Sequence, residues 1–436
     1  MSDGWLMPWL LAGIPLLGAL ASLPFWRNPD RLKRSTIVWS VISCGSVAGF
    51  AGRLAAPPEG LLPLYLLPLT AVISLLGQPT HDNHRLSWVM TPVFLGLGLS
   101  VLTSQPPTGN LALALLLSVI AILLYRHHSA LWPMSWWGIG TYGLGAVCAL
   151  LATASGPAVS SVASLLACAV LLPLVPFHDG HLTALTRLPG GLPSVIVLLL
   201  PLTGLHGLAT ALPTVPEAVA WTVSLFALAG ASYGAVKALA QSRVRLLLAY
   251  GSLSFFSMLW WFAAAARTAT PRAALMVGTV GLAASGLLVA WQVIRTRYGD
   301  DVDPLSVSGL ASGMPHYAVL LSLLALATMG LPPFGVFAGF MGLLLSTPLP
   351  STIGLFITLL AWLAASWYIM QMVQRLLFGL RRPDLRYTDL LRGERASLLI
   401  VVLVLLALGL APATLFAPEQ AAPPIGAGKD AMTWNR

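Results

Sequence analysis

The chemistry this sequence could perform is proton transfer, and its means lie between Val175 and Ser254. The stretch opens on Pro176-Phe177-His178-Asp179 at the end of an apolar run, with His181 three residues after His178. The next apolar segment holds one histidine, His206, between Gly204 and Gly207; another carries Lys237 near its end. Tyr250, Ser252 and Ser254 follow in a further apolar segment. Titratable and hydroxyl groups this deep in apolar sequence are costly, so each is a functional candidate by default. Histidine passes a proton between its two ring nitrogens near neutral pH, and the residue types alone rank His206 first.

Each candidate also has a structural reading. His206 could be a neutral ring bonded to a carbonyl freed by Pro201, and Lys237 could extend its stem to the membrane interface. His178 and His181, beside Asp179, would feed protons inward or cap a broken helix. Tyr250, Ser252 and Ser254 would line a hydrated path or hydrogen-bond between helices. The pairs His178-x-x-His181 and His81-x-x-His84 resemble metal ligands, but a site needs three or four in defined geometry and no further ligand type is suggested. Cys44, Cys148 and Cys168 lie singly in apolar runs and read as buried small residues. The tryptophans, Trp132, Trp136, Trp137, Trp260 and Trp261 among them, fit interfacial belts or packing. No cysteine cluster for iron–sulfur, nucleotide fingerprint or triad spacing is present, so no cofactor is expected in this chain and it has no catalytic site of its own.

The elements that must position these groups follow from composition. The 436 residues are 57% hydrophobic and 8% charged, with mean hydropathy +0.84. A soluble domain is about 25% charged, so the chain is an all-α polytopic membrane protein whose first partner is the bilayer. A net charge of +9 would suit nucleic acid only as a basic patch on a soluble domain. Here the basic residues sit in short loops, and no nucleic-acid partner is expected.

At about 20 apolar residues per crossing, fourteen spans are predicted, running from 5–25 to 396–418. The first is read as a retained helix, because its basic cluster (Arg27, Arg31, Lys33, Arg34) follows it. With the N-terminus outside, seventeen basic residues fall in inside loops, against five outside (Arg53, Arg267, Arg272, Lys429 and Arg436). That bias predicts both termini outside. The longest inside loop, Arg375 to Arg395, is basic: membrane-edge anchoring, or the docking of a partner. The tail after Pro418 is rich in Ala, Pro and Gly and reads as disordered.

Two interruptions stand out. Pro176, Pro189 and Pro193 break the chain around Gly190-Gly191, and Pro332-Pro333 break a long span after Gly330. Broken backbone at membrane depth is tolerated only inside protein or beside a hydrated cavity. Their corresponding placement predicts two five-helix inverted repeats, each with a broken helix. The divisions are 1–86 for the first three helices, 87–240 and 241–376 for the repeats, and 377–436 for the basic loop, last helix and tail.

At these residues the chain resembles the antiporter-like membrane subunits shared by respiratory complex I, Mrp-type cation/proton antiporters and membrane-bound hydrogenases. The resemblance rests on Pro176-Phe177-His178-Asp179-Gly180-His181-Leu182 and on Ala238-Leu239-Ala240-Gln241, which continues to Leu248-Ala249-Tyr250-Gly251. Gly330-Leu331-Pro332-Pro333, with Gly339-Phe340 beyond, completes it. It implies a proton- or monovalent cation-translocating subunit of a larger complex in a bacterial-type inner membrane. The complex would be of the NADH:quinone oxidoreductase or hydrogenase type, its redox chemistry held by other subunits.

The family's charges are largely missing. Its buried glutamate falls at Gly138, after Trp137. Its lysines fall near Leu205 or His206, near Leu282 and near Leu343, and Arg243 and Arg245 stand where the family has an acid and a base. All fourteen carboxylates of the chain map to loops, tails or span ends. Three functions therefore stand: a conducting subunit working through His206 and Lys237, a non-conducting structural subunit, or the proton-conducting partner of a carbonic-anhydrase-like protein in an inorganic-carbon uptake complex.

Overall fold

The computed structural model describes residues 6–51, 58–127, 136–154, 156–268, 270–298, 307–346, 351–379 and 388–410. They form helices joined by turns and loops, without strand among the described residues. In order they are α1 (Leu6–Ser22), α2 (Pro29–Ala51), α3 (Pro58–Gly77), α4 (Arg85–Thr103), α5 (Pro106–Arg126) and α6 (Trp136–Ala154). Then come α7 (Pro157–Leu171), α8 (Asp179–Arg187), α9 (Leu192–Ala211), α10 (Glu217–Leu239), α11 (Val244–Ala266) and α12 (Pro271–Tyr298). The rest are α13 (Leu310–Gly313), α14 (Pro315–Thr328), α15 (Gly335–Ser346), α16 (Thr352–Leu377) and α17 (Arg392–Leu410). The loop positions Arg381, Arg382 and Arg386, Trp132, and the tail beyond 410 lie outside the described residues.

The starts of these helices are written in the sequence. α2, α3, α5, α7, α12 and α14 each begin on proline, whose fixed φ and missing N–H suit the first turn. Ser351 caps α16 by accepting from the Gly354 amide at 3.0 Å. Ten helices are long and apolar enough to cross a membrane, and α3, α7, α14 and α15 are shorter apolar helices. The chain is a multi-pass membrane protein. α12 is its axis: it packs against α3, α9, α11, α14, α15 and α17. The outer face of α16 instead exposes Ile353, Phe356, Leu360, Leu363 and Trp367, a stripe at helical spacing that suits lipid.

Both interruptions are present, and a tryptophan closes each. Between α7 and α8 the chain is non-helical and the Val175–Pro176 bond is cis. There Trp260 Nε1 donates to the Leu172 carbonyl at 2.9 Å, satisfying an acceptor that the break releases. Between α14 and α15 the Pro332–Pro333 bond is cis and Gly330 has φ +72°. A Cβ on Gly330 would lie 1.9 Å from Trp362 Cζ2, and one on Gly409 would lie 2.0 Å from the Pro333 carbonyl oxygen. The break therefore fits only because both glycines lack side chains. Pro189 lies in the loop before α9, whereas Pro193 is in the first turn of α9, which then runs unbroken past Pro201.

A polar clamp fixes the α8–α9 loop. Ser74 donates to the Gly191 carbonyl at 2.9 Å, the Gly191 amide to Ser87 Oγ at 3.2 Å, and Ser87 to Gln78 Oε1 at 3.2 Å. Lys33 Nζ donates to the Gln78 carbonyl. Arg245 reaches the Thr186 carbonyl at 3.0 Å and Gln292 Oε1 at 3.2 Å, joining α8, α11 and α12.

Candidate functional site

The start of α8 meets α11, and there most of the sequence candidates converge. His181, three residues after His178 on the same helical face, is 1% exposed. Its Nε2 is 2.8 Å from Ser252 Oγ. Ser252 Oγ also donates to the Ala249 carbonyl at 3.0 Å. A hydroxyl has one proton to give, so His181 Nε2–H is the donor to Ser252. Nδ1 is left as an acceptor, buried and without a hydrogen-bond partner among the described residues. A proton arriving at Nδ1 can leave through Nε2 to Ser252, which is the histidine relay in its minimal form.

His178 Nε2 lies 3.7 Å from Asp179 Oδ1, and the His178 ring stands edge-on to Tyr233, centroids 5.3 Å apart. Tyr233 in turn meets Tyr250 at 6.0 Å, and Lys237 Nζ sits 5.7 Å from the Tyr233 ring centre. Tyr233 and Lys237 are exposed and Asp179 is half-buried. His178, Asp179, Tyr233, Lys237 and Tyr250 thus form a polar mouth beside buried His181 and Ser252. Ser254 turns the other way and donates to the Ala231 carbonyl at 2.8 Å, tying α11 to α10.

His206 is elsewhere. It lies exposed on α9, while Gly204 and Gly207 pack against Leu172 and Cys168 of the α7 end. The two glycines serve close helix packing, and the histidine points away from it. Sequence reasoning missed Tyr142 and Tyr368. The Tyr142 ring packs on Gly180, and the Tyr368 hydroxyl would lie 2.8 Å from a Cβ on Gly251. Both hydroxyls are buried without a partner among the described residues, each a polar group of the kind that needs an acceptor or donor when buried. Only their place beside the glycines of α8 and α11 brings them there.

The positions that lack the expected charges are tightly filled. A Cβ on Gly138 would lie 2.1 Å from Thr183 Oγ1, so α8 occupies the room a carboxylate would need. Leu282 is 0% exposed and Leu343 2%; each is ordinary apolar core.

A bundle of apolar helices interrupted twice by proline, with a polar mouth beside a buried histidine, defines an antiporter-like membrane protein. Residues 112–364 match the family described as NADH:quinone oxidoreductase/Mrp antiporter, transmembrane, and the chain belongs to it. It is 26% identical over 418 residues to NADH-quinone oxidoreductase subunit M of Escherichia coli (strain K12), covering 90% of this chain and 75% of that one. F(420)H(2) dehydrogenase subunit M of Methanosarcina mazei is 28% identical over 250 residues, 55% of this chain and 50% of that one. The fold is shared with a chain of respiratory complex I from Thermus thermophilus (TM-score 0.76, 19% identity, 92% and 96% covered). It is also shared with a chain of the archaeal membrane-bound sulfane sulfur reductase (TM-score 0.79, 13% identity, 93% and 95% covered).

Proposed function

We propose that this chain is a proton-translocating, antiporter-like subunit of a larger energy-transducing membrane complex. In this reading protons enter from the inside through the His178–Asp179 mouth and pass His181 to Ser252. The observation that carries it is the buried His181–Ser252 pair, since a histidine that deep, with one ring nitrogen free to accept, has no need of its polarity for packing. Family membership supports it, as do relatives that bear the names of complex subunits. The reading includes fourteen crossings, with α7/α8 and α14/α15 as the broken elements of two inverted repeats. Both termini face the outside of a bacterial-type inner membrane, in keeping with the basic inside loops. Its partners in the complex are redox subunits or a carbonic-anhydrase-like protein, and the conducted species is a proton or a monovalent cation.

The test is proton flux by the reconstituted complex in liposomes carrying a pH-sensitive dye. His181→Ala should reduce flux about a hundredfold, the lower end of the range for losing a proton-transfer group, with assembly intact. His206→Ala should leave it near the parental rate. Normal flux in assembled His181→Ala complex would leave the second reading, a non-conducting structural subunit. That alternative draws on Leu282, Leu343 and the Gly138–Thr183 contact, which seal the places where charges were expected.

A further inference from the structure

Away from the polar mouth, α14 and α17 pack side by side and both begin at the same end of the bundle. Between their first turns Pro315, His316, Val319, Leu320, Arg395 and Leu399 line an open cavity of about 300 Å³, the lower limit of ordinary ligand pockets. Its two ends differ in chemistry. At the helix starts stand the exposed side chains of Arg395 and His316. One turn along, the walls become Val319 and Leu399, and the exposed Leu403 continues the α17 stripe. Arg395, Leu399 and Leu403 are spaced i, i+4, i+8: a cation followed by two leucines on one face.

Other charges nearby are committed elsewhere. The Asp389 carboxylate accepts from the His316 and Tyr317 amides at 2.9 and 3.3 Å and from His316 Nδ1 at 2.7 Å. Glu394 is buried against Arg297 at 2.6 Å. Arg395 makes no ion pair among the described residues, and Arg392 adds a second exposed cation one turn earlier.

We propose that this groove holds one anionic phospholipid, its phosphate at Arg395 and an acyl chain along Val319, Leu399 and Leu403. On the orientation proposed above the groove opens to the inner leaflet, which carries anionic headgroups and attracts basic residues at its surface. A cation at the headgroup level with an apolar trough directly beneath matches a lipid in both charge and polarity gradient. A free phosphate would use only the first half.

The experiment uses the full chain in its complex, purified in maltoside detergent and delipidated. Melting is followed while dioleoylphosphatidylglycerol, dioleoylphosphatidylcholine or inorganic phosphate is titrated in. Phosphatidylglycerol should act at about fivefold lower concentration than phosphatidylcholine, the factor expected for one basic contact, and inorganic phosphate should have no effect. Arg395→Gln should erase the preference between the lipids, and Arg395→Lys should keep it. Arg126→Gln, at the end of α5, should leave it unchanged. Equal action of the two lipids, a preference that survives Arg395→Gln, an effect of phosphate alone, or no lipid effect because another subunit fills the groove would each overturn the proposal.

Discussion

His181 and His206 share a residue type and differ in everything that decides chemistry. His181 is enclosed by α8 and α11 and spends Nε2 on Ser252; His206 faces out from α9. Ser252→Ala leaves the buried His181 donor without its acceptor, and should destabilise the chain by about 1–3 kcal/mol in a detergent melt while lowering proton flux. His206→Ala, on an exposed face, should change the same melt by less than about 0.5 kcal/mol. Gly138→Glu tests whether the chain has room for the carboxylate that the family resemblance leads one to expect. With Thr183 Oγ1 where the new Cβ must go, assembled protein should be reduced and conduction unimproved; a stable variant with raised flux would refute that packing argument.

At the scale of elements, the two breaks were legible because proline and glycine act locally, through φ and the missing donor. What closes them was not. Trp260 and Trp362 come from α11 and α16, far along the chain, and nothing in their neighbourhoods announces that they seal a break. Gly330→Ala combines a left-handed φ with a collision against Trp362. It should cost on the order of 1–3 kcal/mol from the backbone alone and more from the ring. Pro193 shows the reverse: read as part of a break, it serves α9 as a first-turn proline, because the same residue that ends one helix suits the start of the next.

Across the whole molecule, the first turn of α17 and the residues just before it are held to the bundle by charges that the sequence placed only at loop ends. Arg297 and Glu394, 10% and 4% exposed, pair at 2.6 Å. Glu394→Ala would strand a buried guanidinium and should cost about 3 kcal/mol or more, read as a fall in melting temperature. Asp389 caps α14 from outside its own helix. Burial pushes its carboxyl up, but the hydrogen bonds from His316, Leu390 and Tyr317 outweigh this and hold it below the usual carboxylate range. A folded-state value below the unfolded one means the contact contributes fully above about pH 3.9 and fades as pH falls through the lower folded value. Asp389→Asn exchanges a charged acceptor for a neutral one and should therefore lower stability by about 1 kcal/mol at pH 7, and the difference from the parent should shrink below about pH 4.

Hydropathy, loop charge and proline spacing determined the class of this protein: apolar helices, two interruptions and a family resemblance carried by short motifs. Those signals are local, set by each segment's own exchange between water and lipid and by its own backbone. Which histidine is enclosed, which glycine makes room for Thr183 and which tryptophan closes a break depend on helix rotation and crossing. These are settled by packing among segments distant in sequence, and only the tertiary structure decided them.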